Sequence, residues 1–102
     1  MKYLLVIQFA VDKNVDLNSL TEIEETIIDS IDPKHEIDGH DFGVNEFNIF
    51  IYTNDPHDAS SQVKRTIRSK KHKQMKIAYR LSNGEEYKII YPENFTGKFE
   101  VK

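Results

Sequence analysis

The chain has 102 residues, a hydrophobic fraction of 38%, a charged fraction of 30% and a net charge of −3, which are the proportions of a single globular domain spanning residues 1–102. It contains no cysteine, so disulfides, zinc–thiolate sites and thiol catalysis are excluded within it. No stretch approaches the roughly 20 apolar residues of a membrane helix, and the short apolar start is typical of a strand, not of a signal peptide. We therefore expect a cytoplasmic protein with no membrane partner.

The first two elements are a strand and a helix. Residues 3–11 are apolar at nearly every position, as in a central strand that is covered on both faces. Residues 19–31 predict a helix that begins with a capping box formed by Ser19 and Glu22. Its apolar stripe follows at helical spacing and consists of Leu20, Ile23, Ile27 and Ile31.

The middle of the chain predicts two strands and a second helix. Residues 35–41 are polar, and the glycines at 39 and 43 mark a bend, bulge or turn. Residues 47–52 form a strongly apolar strand, which Pro56 follows. We expect Asp58 or Ser60 to cap the second helix.

The last part of the chain predicts a hairpin of residues 76–81 and 85–91. A three-residue loop with Gly84 in the left-handed conformation would pair Tyr79 with Tyr87 and Arg80 with Glu86. Phe95, Phe99 and Val101 would then add a short edge segment.

The resulting order, β-α-β-β-α-β-β, predicts a single α+β domain. The polar second strand and the apolar first and third strands match a split βαβ, or ferredoxin-like, two-layer sandwich. In that arrangement strands one and three lie in the middle of a mainly antiparallel sheet, strand two lies at an edge, and both helices cover one face.

The stretch around Asp38 and His40 is the first candidate site. Strand alternation would place Glu36, Asp38 and His40 on one face, where Asp38 and His40 could bind a divalent metal with a third ligand such as His57 or Asp58. No H-E-x-x-H or similar zinc signature is present. A solvated sheet edge is therefore the favoured interpretation, and we expect no metal and no cofactor.

Nucleophilic catalysis has only a weak candidate. His40 and Asp41 could act with Ser60 or Ser61, but the G-x-S-x-G elbow is missing and these serines lie where a helix begins. The sequence thus favours a protein that is not an enzyme.

The charges are distributed unevenly along the chain. Residues 1–58 carry thirteen Asp/Glu and three Lys, whereas residues 59–102 carry four Glu and eleven Lys/Arg. The basic run Lys64–Lys76 is a candidate nucleic-acid contact, although its cations would also compensate the dipole of the second helix. An acidic surface for a protein partner is the alternative, with six candidate residues: Glu22, Glu25, Asp29, Asp38, His40 and Asp41.

Several short motifs carry a resemblance. The pattern D-G-H-D-x-G at residues 38–43, N-I-F-I at 48–51 and D-P at 55–56, together with Y-P-E at 91–93, resembles a group of small uncharacterised bacterial proteins. In its size, acidity and lack of cysteine the chain is also similar in kind to immunity proteins of bacterial contact-dependent and polymorphic toxin systems. The second resemblance implies a protein partner, namely a cognate toxin.

Three hypotheses follow. The favoured one is a non-enzymatic protein-binding module, such as an acidic immunity protein that neutralises a toxin or another basic enzyme, with a nuclease as one example. The second is a small-ligand- or metal-binding ferredoxin-like domain or enzyme that uses Asp38, His40 and the open sheet face, alone or as a homodimer. The third is a nucleic-acid contact through Lys64–Lys76. Fold class decides between none of them.

Overall fold

Seven elements follow one another in the computed structural model, which describes residues 1–13, 16–67 and 75–101. They are β1 (Tyr3–Ala10), α1 (Leu17–Ser30), β2 (Glu36–Gly43), β3 (Glu46–Thr53), α2 (Pro56–Ile67), β4 (Met75–Leu81) and β5 (Lys88–Tyr91). The predicted order of strands and helices is confirmed. Neither helix in the described residues is long and apolar enough to cross a membrane.

The five strands form one sheet in the order β2-β3-β1-β4-β5, and all neighbouring strands are antiparallel. The first four strands have the order of a split βαβ fold, and β5 extends the sheet beyond β4, so the sheet is not the plain four-stranded form. The prediction of an α+β fold with central strands β1 and β3 is confirmed.

Both helices pack on one face of the sheet. Leu5, Ile7 and Phe9 alternate along β1 and point to this face. They share the main core with the buried stripes of the helices, which are Leu20, Ile23 and Ile27 of α1 and Ala59, Val63 and Ile67 of α2. Three of the four predicted stripe residues are thus confirmed, whereas the fourth, Ile31, lies just after α1 as its C-cap and is only partly buried.

The opposite sheet face is covered in part by the C-terminal tail. Phe99 is buried there, and Gln8 Nε2 donates a hydrogen bond of 2.9 Å to the Glu100 carbonyl oxygen. The apolar sheet residues around Phe99 are Leu4, Val6 and Ala78. The tail was predicted to add a segment at the edge of the sheet. It lies on the face of the sheet instead, because Phe99 packs against the apolar residues there.

The first helix begins earlier than the sequence pattern predicts. Asp16 is the N-cap, and its Oδ1 accepts a hydrogen bond of 3.0 Å from the Asn18 backbone N–H. The predicted capping box of Ser19 and Glu22 is therefore wrong. Asp16, three residues before Ser19, supplies the acceptor for the free backbone N–H groups at the start of the helix, about one turn earlier than predicted.

The second helix is also capped by a residue further upstream than expected. Asp55 Oδ1 accepts from the Asp58 backbone N–H at 3.1 Å, and Pro56 follows as the first helical residue, a position at which its missing N–H costs nothing. Asp58 and Ser60, the predicted caps, both lie inside the helix.

The register of the last hairpin differs from the prediction. Tyr79 lies opposite Lys88 and Ala78 opposite Ile89, so Tyr79 does not pair with Tyr87. Gly84 does not have the left-handed backbone that was predicted for it. The connecting segment has six residues, 82–87, instead of the three that were predicted, and the Arg80 side chain donates to the carbonyl oxygens of Ser82 and Gly84 within it.

Candidate partner-binding surface

The exposed side of α1 carries the three predicted acidic residues. Glu22, Glu25 and Asp29 are all exposed, and their spacing of three and four residues aligns them along the helix. The buried residues Ile23 and Ile27 face the sheet. The predicted outward orientation of this acidic stripe is confirmed.

A β-bulge determines how β2 presents its side chains. The pairing of β2 with β3 shifts between Ile37 and Gly39, where Asp38 is the extra residue, and Gly39 has a φ of 141°. Only glycine adopts such a backbone without strain. Of the bend, bulge or turn predicted from the glycines, a bulge is present before Gly39.

The bulge changes the face on which His40 lies. Ile37 lies opposite Ile51 and His40 opposite Ile49, and both β3 residues belong to the core beneath the helices. Glu36, one residue before Ile37, points to the other face. The prediction that Glu36, Asp38 and His40 share a face is wrong, because one inserted residue reverses the alternation that follows it.

His40 is held by a glutamate of α1. Its Nδ1 lies 2.8 Å from Glu24 Oε1 and 2.9 Å from Oε2, and since an ionised carboxylate only accepts, Nδ1 carries the proton and donates. The Glu24 side chain is 9% exposed, against 41% for His40. Only a faint signal for this contact is visible in the sequence: Glu24 follows Leu20 by four residues and so borders the buried stripe.

Four exposed apolar side chains lie on, or directly after, the two elements that this Glu24–His40 bond joins, and one of them, Phe42, contacts the His40 ring at 5.7 Å between centroids. Leu17 precedes Glu24 by seven residues and Ile28 follows it by four, so both lie on the same side of α1 as Glu24. Leu17 is 50% exposed and Ile28 is 48% exposed. Phe42 and Val44, on and just after β2, are 50% and 68% exposed. Large apolar side chains that are exposed in this way are typical of an interaction site.

We call this region the α1–β2 surface. It comprises Leu17, Glu22, Glu25, Ile28, Asp29, Asp38, His40, Asp41, Phe42 and Val44. Residues 16–43 contain nine Asp or Glu residues and a single Lys or Arg residue, Lys34. The surface therefore combines apolar side chains with acidic ones. All six predicted partner-binding residues are exposed, but Asp41 lies opposite Asn48 and points to the sheet face away from the helices, so the six do not share one face.

The candidate metal ligands are not brought together. The His57 ring packs against Tyr79 with centroids 5.5 Å apart, Asp58 binds His35, and His40 binds Glu24. Among the described residues no group of three His, Asp or Glu side chains could hold a metal ion.

The candidate nucleophiles are not assembled either. Ser60 and Ser61 lie on α2, and the buried Ser60 Oγ has no hydrogen-bond partner in the part of the chain that the structure describes. Neither hydroxyl is bonded to His40, whose Nδ1 is occupied by Glu24.

A hydroxyl–imidazole–carboxylate arrangement that the sequence did not reveal lies elsewhere. His35 Nδ1 is 2.6 Å from Thr53 Oγ1, and His35 Nε2 is 2.8 Å from Asp58 Oδ2. The order of groups is that of a hydrolase triad. However, Thr53 is 0% and His35 3% exposed, so no substrate reaches the hydroxyl, and we assign the cluster a structural role.

Two charged side chains of this cluster have shifted pKa values. The hydrogen bonds from His35 and Lys34 hold the pKa of the Asp58 carboxyl below its usual value. The hydrogen bond to Asp58 and its charge raise the pKa of Lys34. Both shifts favour the charged forms, as expected for an ion pair.

A cleft of about 580 Å³ lies between the N-terminus and β4, in the half of the sheet that is away from β2. Tyr3 and Tyr79 form part of its wall and contact each other edge to face, with ring centroids 5.6 Å apart. Its charges are mixed, with Lys2 and Lys88 beside two glutamates, Glu85 and Glu86.

Most of the candidate nucleic-acid contact lies outside the described residues, which omit residues 68–74. Of its two described lysines, Lys64 lies over the Tyr91 ring at 5.7 Å and Lys76 over the Phe95 ring at 4.8 Å. Both ammonium groups thus contact aromatic rings of this chain.

Comparison with protein-family models, with curated proteins and with solved structures gave no match for this chain.

Proposed function

We propose that this protein is a non-enzymatic binding module that recognises a basic protein through the α1–β2 surface. The observation that carries the proposal is the position of exposed apolar side chains, Phe42 and Leu17 among them, within a surface whose charges are acidic. Protein interfaces combine an apolar centre with a polar rim in this way.

The charge of the surface determines the kind of partner. Acidic residues that are spread over α1 and β2 attract a basic protein over distances of about a Debye length, roughly 8–10 Å at physiological salt, and orient it before contact. Complementary charge mainly raises the association rate and excludes acidic competitors. The apolar side chains then supply the contact area.

An immunity protein that neutralises a cognate bacterial toxin fits this chemistry. Nucleases bind a polyanion, so the surface around their active site is basic, and an acidic inhibitor covers such a surface well. A nuclease toxin is therefore the partner class that we favour.

The experiment begins with capture of the partner from the native host by the tag-free protein, with nuclease treatment of the lysate. Association rates with the purified partner are then measured at two salt concentrations. In the test variant Glu22, Glu25 and Asp29 are replaced by lysine. In the matched control Glu85, Glu86 and Glu93, which are also exposed, are replaced by lysine, so that both variants change the net charge equally.

We expect the test variant to associate at least about tenfold more slowly than the control, and the wild-type rate to fall as salt rises. Both variants should retain the wild-type stability to within about 0.5 kcal/mol per substitution, because the changed side chains are exposed. If nucleic acid is captured instead, and replacement of Lys70, Lys71 and Lys73 by glutamate abolishes its binding, the nucleic-acid hypothesis replaces the proposal.

A further inference from the structure

The β2 strand is an unpaired edge of the sheet. Seven of its eight residues pair on one side with β3, all except the bulge residue Asp38, and the sheet order places no described strand on the other side. Alternate residues of an antiparallel edge strand point their N–H and C=O groups to solvent. The other edge, β5, has four residues and so offers a much shorter row of such groups.

The side chains near this edge differ on the two faces. His40 and Phe42 point to the helix side, opposite Ile49 and Phe47, and Leu17 at the start of α1 is exposed on the same side. On this side the exposed Phe42 ring packs against the buried Phe47 ring, with 4.8 Å between the centroids, beside the polar Glu24–His40 pair.

The second face of the edge is acidic. Asp41 lies opposite Asn48 and so points away from the helices, and it is exposed. Side chains of a strand added beside β2 would alternate between the two faces. One set would meet Phe42 and the other Asp41.

We propose that the β2 edge, from Asp38 to Gly43, receives an extended segment of the basic partner as an additional strand. The segment alternates apolar side chains, which contact Phe42 and Leu17, with lysine or arginine side chains, which pair with Asp41. This inference rests on the proposed function and specifies how the α1–β2 surface holds its partner. Backbone hydrogen bonds supply affinity in this mode, and the alternating side chains supply specificity.

Charge disfavours a second copy of the chain as the occupant. Pairing of two β2 strands would bring Glu36, Asp38 and Asp41 of one copy near the same acidic residues of the other, and like charges across a strand pair are destabilising. A segment with basic side chains removes this repulsion.

The test uses an eight-residue peptide of alternating valine and lysine, matched to the length of β2. Backbone amide signals and amide hydrogen exchange of the full chain are recorded by NMR with and without the peptide. Two control peptides differ by one property each: in one the lysines are replaced by glutamate, and in the other alternate backbone nitrogens are methylated so that they cannot donate.

We expect the valine–lysine peptide to slow exchange at alternate β2 amides by about threefold or more, and neither control peptide to do so. Phe42→Ser should weaken peptide binding, whereas Leu81→Ser, which removes an apolar side chain of similar exposure from the end of β4, should not. The proposal is overturned if no β2 amide is protected at millimolar peptide, if protection appears at β5 instead, or if the free chain dimerises through β2.

The two proposals fail in different ways. If the valine–lysine peptide leaves β2 unprotected while the lysine substitutions on α1 still slow association with the captured partner, the binding function stands and the added strand does not. If the partner associates equally fast with both charge variants, the proposed function itself fails.

Discussion

His35 Nε2 lies 2.8 Å from Asp58 Oδ2, and this hydrogen bond joins the residue before β2 to the first turns of α2. The same carboxylate oxygen accepts from Gln62 Nε2 at 2.8 Å and lies 3.2 Å from the Lys34 ammonium nitrogen. Gln62 Oε1 in turn accepts from the Asp32 backbone N–H at 2.7 Å. Asp58 thus links the α1–β2 connection to the second helix, both directly and through Gln62.

The first prediction tests this cluster. His35→Ala should lower the free energy of unfolding by about 2–4 kcal/mol, because it leaves a cavity and deprives the buried Thr53 hydroxyl of a partner. His57→Ala is the matched control and should cost less than about 1 kcal/mol, since His57 is exposed and packs only its ring against Tyr79. Urea denaturation of both variants provides the measurement. Equal losses would mean that the cluster does not hold the fold together.

The second prediction concerns the pH dependence of stability. The folded-state pKa of Asp58 is below its usual value, so its contribution to stability is present at neutral pH and is lost as pH falls from about 4 through the folded-state pKa. Asp58→Asn should therefore lower the melting temperature at neutral pH and flatten its decline in acid. Lys34 acts at the other end, because its raised pKa gives a contribution that is lost only above about pH 10.5.

Melting curves from neutral to acidic pH check the second prediction. Lys34→Met removes the ammonium group beside Asp58 and should also lower stability at neutral pH, by less than Asp58→Asn does, because the hydrogen bonds of Asp58 with His35 and Gln62 remain in place. If Asp58→Asn has the same acid slope as the wild type, the carboxyl does not account for the acid dependence.

The element order and the main core could be predicted because they depend on local patterns. The continuous apolar run of β1 and the helical spacing of Leu20, Ile23 and Ile27 each follow from a few neighbouring residues. The outward stripe of Glu22 and Glu25 follows from the same period. The polar character of β2 likewise identified it as an edge strand.

The remaining features depend on contacts between distant residues or on register. The extra residue in β2 moves the His40 side chain to the other face of the sheet. The glycines indicate a bend, bulge or turn, but they do not show which residue is inserted. The cluster around His35 needs Thr53 and Asp58, which come together only when β3 and α2 are in place. Similarly, Glu24 looks like a solvated helix residue until β2 places His40 beside it.

The third prediction compares two glycines. Gly39→Ala should lower the free energy of unfolding by about 1–3 kcal/mol because a φ of 141° strains any residue with a Cβ. The space around Gly39 is open, with no atom within 4 Å of an added Cβ, so the loss reports the backbone alone. Gly84→Ala should cost less, because its backbone is not left-handed and an added Cβ would only press on Leu81 Cβ at 3.2 Å. Thermal melts of the two variants decide the order, and a larger loss at Gly84 would contradict the bulge geometry.

The fourth prediction concerns Arg80, whose guanidinium organises the segment between β4 and β5. Its Nη1 donates to three backbone carbonyl oxygens at 2.9, 2.9 and 3.1 Å, those of Leu81, Ser82 and Gly84. Its Nε donates to the Tyr87 hydroxyl at 3.3 Å. The sequence had predicted an ion pair of Arg80 with Glu86, but clustered carbonyl oxygens suit a planar guanidinium with several donors.

Arg80→Lys keeps the charge and loses the planar fork, so it should lower the free energy of unfolding by about 1–2 kcal/mol. Glu86→Gln should change it by less than about 0.5 kcal/mol, because the guanidinium is bonded to the segment's own carbonyl oxygens and Tyr87. Amide exchange across residues 82–87 separates the two interpretations. If these amides exchange faster in Arg80→Lys but not in Glu86→Gln, the contacts of Arg80 with the carbonyl oxygens hold the segment. If both substitutions speed exchange equally, an Arg80–Glu86 ion pair is the main contact, and the hydrogen bonds given above do not describe this segment.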